Sequence, residues 1–213
     1  MELFLILIFC LKQNKLAHMD DKYDLIFLKG ILTFLKNKFS HINHPYEPVY
    51  SASSKILILG TIPSPTSREN GFYYMHPQNR FWLIMQKIFE IEFKYKNNEG
   101  EKAIEERKNF LLNHDIALWD VIKSCDIKGA GDSSIKNAEP NDFYEIFKKA
   151  NILKVFCTGA TAFKFWNSLC KNVYNKKAYY LPSTSPANQK YWNTNKLIEE
   201  YKKNILPILE KKI

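Results

Sequence analysis

Lys55-Ile-Leu-Ile-Leu-Gly-Thr-Ile-Pro-Ser-Pro-Thr-Ser-Arg-Glu-Asn-Gly-Phe-Tyr-Tyr-Met-His-Pro-Gln-Asn-Arg-Phe-Trp82 decides how the rest of the chain is read. It begins with four consecutive apolar residues, Ile56 to Leu59. A run of that length suits a strand buried on both faces of a parallel sheet. Gly60 ends the strand, a loop rich in Pro, Ser, Gly and Tyr follows, and a helix is expected to begin near Pro77–Asn79. In open α/β sheets, ligands sit beyond the carboxyl ends of the strands. The loop after Gly60 therefore stands where the floor of an active site belongs.

Outward from this stretch, the chain alternates strand and helix. Helical spacing of Phe81, Ile84, Met85, Ile88 and Phe89 predicts a helix over 81–91, and a second is expected over 101–114. Apolar runs predict strands over 116–122, 152–157 and 178–181, with helices over 141–150, 160–170 and 189–211, the last interrupted near Pro207. Residues 123–140 are expected to be a long loop, and long loops in compact domains usually carry function. This alternation predicts an α/β fold, a three-layer α/β/α sandwich around a central, mainly parallel four-stranded sheet. Residues 24–39 read as a helix and 40–54 as an irregular lead-in, which divides the chain into an N-terminal extension and helix (1–43) and one domain (44–213). The apolar run Leu3–Leu11 is too short to span a bilayer and lacks a positive leader, so residues 1–18 are expected to be a dispensable extension or an early start, not a membrane anchor.

The totals narrow the classes. At 213 residues and 46% apolar composition the chain can bury the core of one domain. Its 31 Lys plus Arg against 22 Asp plus Glu give +9, a balance that favours polyanions, nucleic acid foremost. Most lysines lie in Lys-Lys and Lys-Asn runs that read as solvated helix faces, so charge alone does not decide. Cys10, Cys125, Cys157 and Cys170 show no metal-type spacing, which points to reduced thiols in a cytoplasmic protein. His41 and His44 have no acidic or cysteine neighbour and read as surface-loop histidines, so no metal is expected.

Two loops follow strands and therefore open at the same sheet edge: Thr61–Asn79 and Pro182–Asn188. Each holds a Ser-Pro element, Ser64-Pro65 and Ser185-Pro186. Proline stiffens such loops and lets neighbouring hydroxyls and N–H groups face an anion, as the phosphates on either side of a bound nucleotide would require. Tight turns alone would explain one such loop, but two at one edge favour a site. Phe72-Tyr73-Tyr74 offer rings for stacking on a base, or props for the loop. His76 and Asn79 open the helix: His76 can donate to a developing negative charge, and Asn79 can orient a water, contact a base edge or simply tie down the helix start. No Ser-His-Asp order, Walker loop or dinucleotide fingerprint is present.

With these residues in view, the chain from about His44 onward resembles the uracil-DNA glycosylase superfamily, in its DNA-deoxyinosine (hypoxanthine-DNA) glycosylase branch. The resemblance rests on Ile56–Ser64, Gly71–Tyr74, His76-Pro-Gln-Asn-Arg-Phe-Trp82, Ala117-Leu-Trp-Asp120, Asp132–Asn137 and Leu181-Pro-Ser-Thr-Ser-Pro-Ala-Asn188. It implies a uracil-DNA glycosylase-like fold and a cofactor-free, metal-free monomer that flips a deaminated base out of DNA and hydrolyses its N-glycosidic bond. Hypoxanthine is the implied base, with uracil or xanthine as further ones; the alternative is an inactive relative that keeps the cleft and binds nucleic acid. Many superfamily members carry a catalytic Asp or Asn where this chain has Ile62, which cannot activate water. The implied roles are catalysis by Asn79 with His76; base binding by Gly60, Thr61, Ile62, Phe72, Tyr73 and Tyr74; and phosphate or duplex contact by Ser64, Ser67, Ser183, Thr184, Ser185, Pro186 and Asn188. Met75 stands where the branch has a small residue and is expected to narrow the pocket.

Overall fold

The computed structural model describes residues 38–210. In chain order these form β1 (Phe39–Asn43), β2 (Ile56–Gly60), α1 (Pro65–Glu69), α2 (Phe81–Phe89) and α3 (Glu101–Asn113). The chain continues through β3 (Ile116–Asp120), β4 (Ile122–Lys128), β5 (Lys136–Pro140), α4 (Tyr144–Lys149) and β6 (Lys154–Thr158). It closes with α5 (Ala160–Phe165), α6 (Lys171–Tyr174), β7 (Ala178–Leu181) and α7 (Thr194–Leu209).

β2 is buried at all five positions, which is why it sits inside the sheet. The order is β3-β2-β6-β7, and every pairing is parallel: Ile56 lies opposite Ile116 and Lys154, and Val155 opposite Ala178. Alternate β2 residues feed opposite faces. Ile56 and Ile58 join Ile84, Met85, Leu197 and Tyr201 under α2 and α7. Leu57 and Leu59 join Ile146, Ala162 and Trp166 beneath α4 and α5. Each fully buried side chain of this size contributes roughly 1.5–3 kcal/mol. The result is the three-layer α/β sandwich with a four-stranded parallel sheet that the alternation predicts.

The expected loop over 123–140 is instead a second sheet. β1, β4 and β5 form three strands in the order β1-β4-β5, with β4 and β5 antiparallel. Their register shifts twice, between Ile122 and Ser124 and between Ser124 and Asp126, and β5 is mostly exposed. Those irregularities erase the period-two pattern that marks a strand in sequence. The expected strand 116–122 accordingly breaks at Val121, where the chain leaves one sheet for the other. Further differences are local. Ser64 caps a short helix, α1, within the expected loop. A π-turn at Trp166–Cys170 carries the expected 160–170 helix on to Tyr174. α7 runs through Pro207 without a break. The predicted helix over 24–39 and the run Leu3–Leu11 lie outside the described residues, except that Phe39 opens β1. Among the described residues, no helix is long and apolar enough to cross a membrane.

Candidate active site

A cavity of about 560 Å³ opens beyond the carboxyl ends of β2, β3 and β6. Gly60, Asp120 and Thr158, the last residues of those three strands, all line it. Its volume falls in the range of small-molecule sites, roughly 300–1,000 Å³.

The floor is polar and tightly held. Asp120 is buried, and its Oδ2 accepts from Nε2 of His44 at 2.9 Å. His44 Nδ1 meets both the carbonyl (2.9 Å) and the N–H (3.2 Å) of Tyr46, so it has a partner with or without a proton on that nitrogen. The His44 side chain is only 2% exposed and lies against the rings of Tyr46, Tyr73 and Trp119. The expected surface-loop histidine is therefore a buried one, joined to a carboxylate 76 residues away. Asp120 Oδ1 rests against Gly60: a Cβ there would lie 2.2 Å from it and 2.9 Å from the Tyr74 hydroxyl. Only glycine leaves room for the carboxylate at this point. The Tyr74 hydroxyl donates to Thr158 Oγ1 (2.8 Å), which itself donates to Leu59 O (3.2 Å). Burial pushes the Tyr74 hydroxyl well above its ordinary pKa, so it stays a neutral donor.

The Tyr74 ring stacks on Phe81 (4.1 Å, 16°) with the backbone in the left-handed region at φ 57°. That conformation costs a non-glycine residue of order 1 kcal/mol and turns the ring toward the cavity wall. Trp82 holds the segment by donating Nε1–H to Tyr73 O (2.9 Å).

The rim is built from the two Ser-Pro loops. Ser64 Oγ accepts the N–H of Ser67 and donates to its hydroxyl, capping α1. Ser185 Oγ accepts from Ala187 N at the turn Pro186–Asn188. Arg80 clamps this second loop to the start of α2. Its guanidinium donates to Thr184 O, Ser185 O and Trp192 O, and its backbone N–H also donates to Thr184 O. Gly159, at φ 97°, brings the β6–α5 turn against the same loop, where a Cβ would meet Ser183 Cβ at 3.2 Å.

Asn79 bridges the two loops. Its Oδ1 accepts from Phe81 N (2.9 Å) and from the Thr184 hydroxyl (2.9 Å). Both carbonyl sites are thus occupied, and the Nδ2 amide is the group left to donate toward the cavity. The side chain that ties down the helix start thus also lines the cavity. His76 Nδ1 accepts from Gln78 N (3.1 Å), and His76 O accepts from Asn79 N (2.8 Å), which makes the turn that sets Asn79.

Of the residues expected at the site, Gly60, Thr61, Ile62, Ser64, Ser67, Tyr73, Tyr74, His76, Asn79, Ser183, Thr184, Ser185, Pro186 and Asn188 all line this cavity. Phe72 does not. It is 2% exposed and stacks on Trp82 (6.1 Å, 16°), so it props the loop from behind. Met75 is fully buried and also stays out of the lining, so it does not narrow the pocket directly. Tyr73 reaches the cavity while its hydroxyl donates to Glu47 O (3.0 Å).

Two carboxylates that the sequence motifs contain without a site role also line the cavity: Asp120 and Asp132. Asp132 comes from the tip of the β4–β5 hairpin and lines the wall with Ala130 and Gly131. The signal for Asp120 was present, since it directly follows an apolar strand at the edge that already singled out Gly60. Nothing local marked His44. Among the described residues, no group of three or more His, Cys, Asp or Glu is placed to hold a metal ion.

Comparison with known proteins agrees with this geometry. Residues 47–210 match the model of the uracil DNA glycosylase superfamily. A hypoxanthine DNA glycosylase of Methanosarcina acetivorans is 32% identical over 152 residues, 70% of this chain and 90% of that protein. One from Methanosarcina barkeri is 33% identical over 110 residues, 52% of this chain and 66% of that protein. The NMR structure of a Methanosarcina acetivorans protein proposed to be a uracil DNA glycosylase superposes with a TM-score of 0.64 at 25% identity, covering 81% of this chain and all of the other. The chain belongs to the uracil DNA glycosylase superfamily.

Proposed function

We propose that the protein is a DNA glycosylase of base excision repair. It flips a deaminated base into the cavity and hydrolyses the N-glycosidic bond, with hypoxanthine the foremost base and uracil and xanthine further ones. It acts as a cytoplasmic monomer. The family and the two relatives named as hypoxanthine DNA glycosylases support the reaction class.

The observation that carries the choice of a deaminated base over an undamaged one is the Asp120 carboxylate at the cavity floor. Deamination turns the N1 of adenine, an acceptor, into the N1–H of hypoxanthine, a donor; the N3 of cytosine likewise becomes the N3–H of uracil. A buried carboxylate accepts and does not donate. With Oδ2 taken by His44, Oδ1 accepts the new N–H, while the undamaged base would bury two facing acceptors, at roughly 1–3 kcal/mol.

Extrusion of the nucleotide costs a few kcal/mol, and less for a damaged pair. The rim serines receive the flanking phosphates. The Asn79 Nδ2 amide donates to the departing base or fixes the attacking water, and the sugar passes through an oxocarbenium-like state. Ile62, in place of a carboxylate or amide, favours one second reading: a relative that binds damaged DNA without cutting it.

A labelled duplex containing one deoxyinosine, incubated with protein and then alkali, separates the two. Strand cleavage that vanishes in Asn79→Ala and Asp120→Ala is the expected result. Binding without cleavage on inosine, uracil and xanthine substrates would overturn it.

A further inference from the structure

The cavity receives two carboxylates and no lysine or arginine from the residues that line it. Their surroundings differ. Asp120 has the His44 imidazole on one oxygen. Asp132 faces the Thr61 hydroxyl, with Asp120 itself close enough to repel a second negative charge. On β4 the buried Cys125 thiol, which feels the Asp132 charge, is pushed up to about 11 by burial and is therefore neutral. Burial raises the Asp132 carboxyl above the ordinary aspartate range, and the Asp120 charge adds to that; the Thr61 hydroxyl partly opposes it. Two carboxyl groups in one cleft with unlike partners divide the roles between them: the one bonded to an imidazole is held as an acceptor, and the one raised by burial is the better placed to hold a proton.

We propose that Asp132 is the general acid of the reaction and delivers its proton to N7 of a purine base as the base departs. The inference rests on the glycosylase reading above and goes beyond it by assigning the acid and its substrate class. The bookkeeping closes. The C1′–N9 bond breaks and its electron pair moves into the imidazole ring of the base. The proton on the Asp132 carboxyl passes to N7, so hypoxanthine leaves neutral. Water adds to C1′ and its released proton restores Asp132. Uracil has no ring nitrogen equivalent to N7, so this route serves purines. The hairpin that the sequence hid would then exist at this cleft to bring an acid over the base.

The test is single-turnover excision from duplexes containing deoxyinosine, between pH 5 and 9, with wild type, Asp132→Asn and Asp132→Glu. Duplex affinity and melting temperature are measured alongside, because Asp132 sits at a hairpin tip where substitution leaves the core intact. The wild-type rate should fall on the alkaline side as Asp132 loses its proton. Asp132→Asn should lose on the order of 100-fold, the typical share of a general acid, and lose that alkaline limb, with duplex affinity within threefold of wild type. Asp132→Glu should recover part of the rate together with the limb. On a uracil duplex, Asp132→Asn should lose much less than on inosine. An Asp132→Asn rate within threefold of wild type on inosine, or a full alkaline limb in that variant, overturns the assignment while leaving the glycosylase reading intact. Wild-type protein inert on every deaminated base overturns both.

Discussion

The parallel sheet β3-β2-β6-β7 and the second sheet β1-β4-β5, with its antiparallel β4–β5 pair, each deliver one carboxylate to the same cavity, and they hold it differently. Asp120 ends a buried strand, abuts a glycine backbone and is bonded to a buried imidazole. Asp132 rides on a one-turn 3₁₀ segment between two strands of irregular register. The first arrangement fixes an acceptor in one place. The second sets a carboxyl at a hairpin tip on the cavity wall. Floor and wall are thus built to different tolerances, and substitutions should separate them.

Gly60→Ala attacks the floor most severely. A Cβ 2.2 Å from Asp120 Oδ1 must push out either the carboxylate or β2. Excision should fall by on the order of 100-fold or more, since about 1 Å of misplacement costs that much, and thermal melting should show a loss of about 1–3 kcal/mol from overpacking. A Gly60→Ala enzyme with normal turnover would mean that Asp120 is not held against the base. Asn79→Ala removes the acceptor that bridges the loops together with its Nδ2 donor, and excision should drop by about 100-fold. Its melting temperature should change little, because two hydrogen bonds of about 1 kcal/mol each are all it loses.

Arg80→Met tests the rim. The buried guanidinium joins three carbonyls of the 183–192 segment to α2. Its loss should lower stability by about 2–4 kcal/mol, read by urea denaturation, and weaken duplex binding more than it slows excision of bound substrate. The smallest effect belongs to the three-stranded sheet. Hydrogen bonds from Asn137 and His41 hold the Asp126 carboxyl below its ordinary range. A depressed carboxyl stabilises the fold at pH above the usual aspartate range, and that contribution fades as pH falls through the lowered value. Asp126→Asn should therefore melt slightly earlier than wild type at neutral pH and together with it in strong acid, the difference shrinking with salt.

The same contrast explains what could be read from the chain. Ile56–Leu59 announce a buried parallel strand because every side chain meets a helix layer, and the loop after Gly60 follows from that placement. Lys136–Pro140 announces nothing: its strand is exposed on most positions and its partner changes register twice. Asn79 was legible because it sits beside its own helix. Asp120 with His44 was not, because the bond between them spans 76 residues and the segment around His44 is polar and proline-rich. Phe72 looked like its two tyrosine neighbours in sequence, and only packing on Trp82 separates it from them.

The imidazole that holds Asp120 has one more implication, for where the working unit begins. The family match starts at residue 47, and every residue expected at the site lies inside it. His44 lies three positions before that start. A fragment trimmed to 47–210 would keep the whole visible cavity and bury an unpartnered carboxylate at its floor. The family match thus leaves out the side chain that holds the carboxylate at the cavity floor.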